Sequence, residues 1–177
     1  MPKLSSARFT IEPLDKKKHN RAAFSCEHEV LLTYLKQRAS QDIQKRVAAV
    51  FVLTPDGNTI AGFYTLSQYA IRLDSVPGEI VKRFSLPHYR ELPATLLGRL
   101  ARDTAFKGQG VGELLLMSAL SNSLTSSGKI ASMAVVVDAK DENAKDFYRR
   151  YGFLEFPDHA NRLFLPMETA EQMFDQD

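Results

Sequence analysis

Apolar and polar residues repeat along the first half of the chain with the periods of strands and of a helix. The segments "VAAVFVLT" and "TIAGFYTLSQYAI" are rich in β-branched and aromatic residues, and the turn signal "PDGN" between them predicts a β-hairpin. "RFTIEPL" alternates in the same way and predicts a first strand. "EHEVLLTYLKQRASQDIQ" instead predicts a helix, because its apolar residues have helical spacing opposite a basic face: Leu31, Tyr34 and Leu35 with Val30. The intervening "PLDKKKHNRAAF" predicts a basic helix or loop.

Strand and helix patterns alternate in the second half. "ATLLGRLARD" predicts a strand, "VGELLLMSALSNSLTSSG" a helix that ends at Gly128, and "IASMAVVVDA" a strand buried on both faces. Asp141 can cap the next helix, "DENAKDFYRRYG", which Gly152 closes, and "FLEF" and "RLFLPM" supply the last strands. Residues 73–93 contain three prolines and predict a connection with one short helix. We therefore expect an α/β fold with a central mixed β-sheet flanked by helices.

Length and composition limit the class of protein. The chain has 177 residues, of which 44% are hydrophobic, so we expect a single domain over residues 1–177 whose acidic tail, about 168–177, frays. No apolar run approaches the roughly 20 residues that span a bilayer, and the N-terminus lacks the apolar core of a signal peptide. We therefore expect a cytoplasmic protein that does not enter the membrane.

Cysteine and histidine usage gives no indication of a metal site. Cys26 is the single cysteine, which excludes an internal disulfide and a cysteine metal cluster, and a small apolar filler is a better interpretation of it than a nucleophile. The four histidines lack a metal-ligand spacing such as HExxH. We expect no metal.

Charge is distributed unevenly along the chain. Residues 1–50 contain ten lysine or arginine residues against five aspartate or glutamate residues, whereas residues 51–177 contain 13 against 16. The basic third is a candidate surface for a polyanion, although the solvated faces of ordinary helices would give the same excess.

Three glycines stand at the entrance to the long helix, in "AFKGQGVGELLL". A turn of this kind points backbone N–H groups at one spot, and the positive end of the helix dipole lies behind them, so the segment predicts an anion site. A nucleotide P-loop is excluded because the lysine–hydroxyl pair of GxxxxGK[ST] is missing. A dinucleotide fingerprint is excluded because Glu113 stands where its third glycine belongs.

A third interpretation fits the residues. "K-G-Q-G-V-G" has the form of the [Gln/Arg]-x-x-Gly-x-[Gly/Ala] signature of the GNAT N-acetyltransferases, with Lys107 at the Gln/Arg position. "ARD" resembles the end of that family's fourth strand, and "AKDFYRRYGF" resembles its A-x-x-F-Y-x-x-x-G-F ending. The resemblance implies that acetyl-CoA is the co-substrate, with its pyrophosphate on the glycine turn and its pantetheine arm paired with the strand. The residues so implied are Leu100, Ala101, Arg102, Lys107, Gly108, Gln109, Gly110, Val111 and Gly112, together with Asp141, where many members have an asparagine near the cofactor.

Acetyl transfer needs an acid for the departing thiolate and a neutral amine. The resemblance implies that Tyr148 donates the proton to the sulfur, whereas Tyr151 is expected to be a core residue. Glu91, His88 and Asp103 are candidate bases, but each is more often a plain surface residue. An α-amine, with a pKa of roughly 7.7–8.0 against about 10.4 for lysine, needs no dedicated base.

Two stretches resemble a narrower group, the acetyltransferase toxins of bacterial toxin–antitoxin pairs. "AFSCEHEVLLTYL" is similar to their F-x-C-x-x-x-x-L-x-x-[WY]-L stretch, and "LLGRLARDTAFKGQGVGELLL" to their LLGRLAVD…GQGLG…LL stretch, with Arg102 in place of valine. The resemblance implies acetylation of the amino acid on charged tRNA, a ribbon-helix-helix antitoxin as partner, and a homodimer. The basic third would then hold tRNA phosphates through Lys16, Lys17, Lys18, Arg21, Lys36, Arg38, Lys45 and Arg46.

Two alternatives stay open. An acetyltransferase of a small-molecule or protein amine would carry the same motifs, because the motifs specify the co-substrate more than the acceptor. A non-catalytic acyl-CoA-binding regulatory module is the second alternative, and the intact Gly110, Gly112 and Tyr148 count against it.

Overall fold

The computed structural model describes residues 8–176. Residues 1–7, part of the N-terminal segment that lacks a signal-peptide pattern, and Asp177, the end of the tail expected to fray, lie outside the described residues. The helices and strands follow in the order β1 Thr10–Pro13, α1 Glu29–Gln37, α2 Ala39–Gln44, β2 Ala49–Thr54, β3 Gly62–Arg72, α3 Gly78–Arg83, β4 Glu91–Arg102, α4 Val111–Ser127, β5 Ala134–Asp138, α5 Glu142–Arg150, β6 Leu154–Glu155, β7 Arg162–Pro166 and α6 Met167–Phe174.

Within the described residues the strands form one mixed sheet of seven strands, in the order β1-β2-β3-β4-β5-β7-β6. β2 pairs antiparallel with both β1 and β3, so the predicted hairpin is confirmed. β5 pairs parallel with β4 and antiparallel with β7, which makes the sheet mixed. The predicted α/β class with a central mixed sheet and flanking helices is confirmed.

The described residues pack as two compact units. The first comprises the described part of Met1–Ser67 with Gly98–Ser121, and the second comprises Gln68–Leu97 with Asn122–Asp177 as far as Gln176. The core of the first unit contains Leu35, Phe63 and Val52, all fully buried, whereas that of the second contains Val136 and Phe164. The expectation of a single domain stays a prediction.

The long helix predicted for "EHEVLLTYLKQRASQDIQ" is wrong, because the chain turns at Arg38 and forms the separate helices α1 and α2. In a straight helix the Cα atoms of Tyr34 and Asp42 would be about 12 Å apart. The turn brings them together, since the Tyr34 hydroxyl donates to Asp42 Oδ2 at 2.9 Å and Ala39 becomes fully buried. The break therefore depends on tertiary packing, which the helical spacing of apolar residues cannot predict.

Two further segments differ from the sequence-based expectation. The tail is not frayed over Met167–Phe174, which form α6, because the Met167 N–H donates to the Met133 carbonyl at 2.8 Å and Ala170 is fully buried. The strand predicted from Ile130 begins at Ala134. From Ala134 to Val137 it is fully buried, as predicted. No helix in the described part of the chain is long and apolar enough to cross a membrane.

Candidate active site

A buried carboxylate fixes the corner where β4 ends. Asp103 Oδ1 accepts the N–H of Ala105 at 2.8 Å, and Oδ2 accepts the N–H of Ser25 at 2.9 Å. The Asp103 N–H in turn donates to the Ala61 carbonyl at 2.8 Å. Both carboxylate oxygens are therefore engaged by backbone donors, and Asp103 shapes the backbone before the glycine turn instead of standing free as a base. The other two candidate bases, Glu91 and His88, are exposed.

The glycine turn requires glycine for its backbone conformation. Gly108 and Gly110 have φ values of 78° and 73°, in the left-handed region that L side chains rarely adopt. A Cβ at either position would meet no atom within 4 Å, so crowding by the protein is not the reason. The Leu114 N–H donates to the Gly110 carbonyl at 3.1 Å as α4 begins. The first N–H groups of α4 have no partner inside the helix and are oriented to receive an anion.

Two polar atoms beside this turn lack a partner. Arg102 Nε and Gln109 Oε1 are buried, and neither forms a hydrogen bond within residues 8–176. Buried polar groups are nearly always hydrogen-bonded, so one unsatisfied donor and one unsatisfied acceptor indicate a polar ligand at this turn. Both residues are among those predicted to bind the cofactor, and a ligand that offers one acceptor and one donor would satisfy them.

The remaining predicted cofactor residues lie along β4 and the turn. Ala101 is buried in the core of the first unit, whereas Leu100 is half-buried at the end of β4. Lys107 is exposed, and its N–H donates to the Thr104 carbonyl at 3.4 Å. Val111 and Gly112 form the first residues of α4. The structure thus brings residues 100–102 and 107–112 together at one end of β4, within the first unit.

Tyr148 lies on α5, in the second unit. Its ring centroid is 5.3 Å from that of Phe147 and 5.3 Å from that of Phe153, and 7% of the residue is exposed. Burial raises the pKa of Tyr148 well above its usual value, so its hydroxyl stays protonated at neutral pH. Tyr151 is half-buried against Phe147, with ring centroids 5.2 Å apart.

Asp141 has a capping role. Its Oδ1 accepts the N–H of Ala144 at 2.8 Å at the start of α5, as the sequence predicts. Gly152, with φ 89°, follows the end of the same helix. Buried Lys145 pairs with Glu155 at 2.7 Å and so ties α5 to β6. α5 is therefore held at its start, middle and end, which fixes the backbone that carries Tyr148.

The predicted tRNA-binding residues fall into two groups. Lys18 pairs with Glu12 at 2.7 Å, and the half-buried Arg21 donates to Ser40 Oγ at 3.0 Å, so both also stabilise the first unit. Lys36 is half-buried, and the others are exposed: Lys16, Lys17, Arg38, Lys45 and Arg46. Lys16 and α2 line one groove of about 720 Å³. Of the residues that line this groove, Lys16 is basic and Asp15 is acidic.

Two residues of the first unit have roles that the sequence did not indicate: Asp103 holds the backbone of Ser25 and Ala105, and Arg99 lies on β4. Asp103 could be seen in "ARD" but not its partner Ser25, which lies 78 residues earlier. Arg99 belongs to the same "LLGRLARD" stretch, one position before the residues assigned to the cofactor. Among the described residues no group of three or more histidine, cysteine, aspartate or glutamate side chains is arranged to hold a metal.

Comparison with known proteins gives the family. A model of the acetyltransferase (GNAT) domain matches residues 89–169. The probable toxin TacT of Sinorhizobium fredii is 30% identical over 183 residues, which cover 98% of this chain and 99% of that protein. A tRNA-acetylating toxin of Mycobacterium tuberculosis is 29% identical over 151 residues, covering 85% of this chain and 88% of that protein.

Solved structures agree with this result. A tyrosine-to-phenylalanine mutant of KacT matches with a TM-score of 0.86 at 29% identity, covering 94% of this chain and 99% of that one. AtaT complexed with acetyl-methionyl-tRNAfMet matches with a TM-score of 0.84 at 27% identity, again covering 94% and 99%. AtaTR bound with acetyl-CoA matches with a TM-score of 0.79 at 25% identity, covering 95% and 99%. The fold, the glycine turn and a full-length relative agree: the chain belongs to the GNAT acetyltransferase family.

Proposed function

We propose that this protein transfers the acetyl group of acetyl-CoA to the α-amino group of aminoacyl-tRNA and thereby blocks translation as a toxin. The observation that carries the acetyl-CoA part is the turn over residues 107–112, with its two left-handed glycines beside the unsatisfied Arg102 Nε and Gln109 Oε1. The acceptor is supported by the full-length similarity to TacT and by AtaT, whose complex contains acetyl-methionyl-tRNA.

The glycine turn binds the pyrophosphate of acetyl-CoA. Backbone N–H groups of Gly108 and Gly110 and of the first turn of α4 donate to its oxygens, and the helix dipole adds to their attraction. Lys107 supplies a positive charge beside them, at an exposed position. Upstream, the backbone of Leu100–Arg102 pairs with the pantetheine arm as an added strand would. Asp141 caps α5, and its contact with acetyl-CoA stays a prediction.

Tyr148 supplies the proton that the reaction needs. The nitrogen lone pair attacks the thioester carbonyl carbon, a C–N bond forms, the C–S bond breaks, and the amine proton leaves to water. Tyr148 donates its hydroxyl proton to the departing sulfur and recovers one from solvent. The Tyr148 hydroxyl carries its proton at neutral pH, as a tyrosine with an ordinary or a raised pKa does, so the proton is present when the sulfur departs.

The basic surface of the first unit holds the tRNA. Its exposed lysines and arginines neutralise backbone phosphates, which carries affinity without sequence information. An esterified amino acid has an α-amine with a pKa far below that of a lysine side chain, so much of it is neutral and no buried base is required.

Partners and location follow from the same function. The similar structures include the toxin AtaT bound to the C-terminus of the antitoxin AtaR, and a ribbon-helix-helix antitoxin encoded beside this protein would restrain it. The protein forms a homodimer and acts in the cytoplasm, where tRNA is charged.

The test is direct. The purified protein is incubated with labelled acetyl-CoA and total charged tRNA, with free amines and a bulk protein fraction as competing acceptors. Label should enter the alkali-labile aminoacyl fraction of the tRNA. Label that enters only the free amines or the protein would assign another acceptor, and no transfer to any acceptor would indicate a non-catalytic module.

A further inference from the structure

Arg99 lies where two distant stretches of this chain meet. It belongs to β4, and its guanidinium carbon is 3.6 Å from the ring centroid of Tyr34 on α1. The Tyr34 ring is stacked on that of Phe63, with centroids 6.3 Å apart and planes 15° apart. Phe24 packs edge-on against Phe63 at 5.6 Å. Arg99 is therefore the outermost member of a column built on buried aromatic rings.

The platform beneath Arg99 is fixed. Tyr34 is 5% exposed, and its hydroxyl donates to Asp42 Oδ2 at 2.9 Å. Burial and the bond to Asp42 raise the pKa of Tyr34 well above its usual value, so the ring stays a neutral phenol whose face attracts a cation. The orientation of the guanidinium is consequently set before any ligand arrives.

The face of the Arg99 guanidinium packs on the Tyr34 ring, but the N–H groups at its edges have no acceptor among the described residues. Arg99 is half-buried, and no hydrogen bond or ion pair joins its guanidinium to any residue of the described range 8–176. A guanidinium has five N–H donors in one plane, in a fork that matches the oxygens of a phosphate or carboxylate. A partly desolvated fork without an internal acceptor is suited to bind an external oxyanion.

The position of Arg99 indicates which oxyanion, given the proposed function on which this inference rests. Leu100–Arg102 follow Arg99 directly. In the proposed function their backbone pairs with the pantetheine arm of acetyl-CoA, which runs back along β4 from the pyrophosphate at residues 107–112. The thioester end of that arm is thus directed toward Arg99. An amino acid esterified to the 3′ end of a tRNA brings a phosphodiester close behind its ester. We infer that Arg99 binds a phosphodiester of the tRNA acceptor end and so positions the aminoacyl ester at the thioester.

The experiment compares two acceptors that differ in phosphate. One is an amino acid esterified to the trinucleotide CCA, and the other is the same amino acid esterified to adenosine, which has no phosphodiester. The amino acid is the one that the bulk tRNA assay labels. In Arg99→Gln we expect kcat/KM for the trinucleotide ester to fall about 10- to 100-fold, the worth of one charge-assisted contact. For the adenosine ester it should stay within about twofold of the unmodified protein.

Two variants complete the test. Arg99→Lys keeps the charge but loses the stacked fork, so it should stay at least about fivefold impaired on the trinucleotide ester. Arg83→Gln removes an equal charge from the last residue of α3, whose guanidinium carbon lies 5.2 Å from the Phe84 ring centroid, and this variant should stay within about twofold on both esters. Equal loss on both esters in Arg99→Gln would mean a structural role, and loss on neither would mean no contact; either overturns the inference. An unmodified protein that acetylates neither ester but labels another amine would overturn the proposed function itself.

Discussion

Asp103→Ala should lower the free energy of unfolding by about 2–4 kcal/mol. The side chain is 7% exposed, and its two oxygens accept backbone N–H groups at 2.8 and 2.9 Å. A backbone donor left without a partner costs about 1–3 kcal/mol, so two such donors would cost about 2–6 kcal/mol. Because water can reach Ser25, which is exposed, we expect a loss in the lower part of that range. At about 2–4 °C for each kcal/mol in a chain of this size, the melting temperature should fall by roughly 4–16 °C.

Asp141→Ala is the matched control for this prediction. Asp141 accepts the Ala144 N–H at 2.8 Å at an exposed helix cap, an interaction worth about 1 kcal/mol. Urea unfolding and thermal melts of both variants give the comparison, and calorimetry with acetyl-CoA should also record weaker binding in Asp103→Ala, because the backbone before the turn is freed. If Asp103→Ala were no more destabilising than Asp141→Ala, the two hydrogen bonds that Asp103 accepts would contribute less to stability than we infer.

Three further changes test the proposed site. Tyr148→Phe should stay folded and bind acetyl-CoA while kcat falls by about 10²–10⁴, whereas Tyr151→Phe should be near neutral; a normal kcat in a chemistry-limited assay would return Tyr148 to the core. Gly110→Glu places a bulky anion in a left-handed turn, so undiminished acetyl-CoA affinity by calorimetry would count against the pyrophosphate site. Reversing the charges of Lys16–Lys18 should flatten the dependence of tRNA affinity on salt, by a slope of about 0.7–0.9 for each phosphate that the protein no longer neutralises, and an unchanged slope would remove these lysines from the tRNA surface.

Local signals were sufficient for much of the fold. The β2–β3 hairpin follows from alternation around "PDGN", and α5 follows from its cap at Asp141 and the glycine at 152. The break at Arg38 and the helix α6 could not be predicted in the same way. The first depends on the bond from Tyr34 to Asp42, and the second on the bond from Met167 to Met133, and both bonds form only after tertiary packing.

The candidate site likewise contains features that local sequence predicts and features that depend on tertiary contacts. The glycine turn can be read from consecutive residues, because positive φ values and an adjoining helix start are local properties. Asp103 and Arg99 have equally plain identities, yet their roles depend on Ser25 and Tyr34, which come from a distant stretch of the first unit. The stretch "AFSCEHEVLLTYL" likewise suggested a family but no role, and the structure makes its Phe24 and Tyr34 the support for an arginine on β4.

Counting charges in the basic third overestimates the surface available to tRNA. Lys18 shares its charge with Glu12, and Arg21 is half-buried and donates to Ser40, so neither is as free as the sequence suggests. The exposed lysines and arginines without an internal partner among the described residues are the ones suited to bind tRNA, because only a cation that can approach a phosphate closely releases counterions. The excess of basic residues therefore divides into cations that build the first unit and cations that face a ligand. Binding should consequently respond far more to changes at Lys16 or Lys17 than to changes at Arg21, whose loss should appear first in stability.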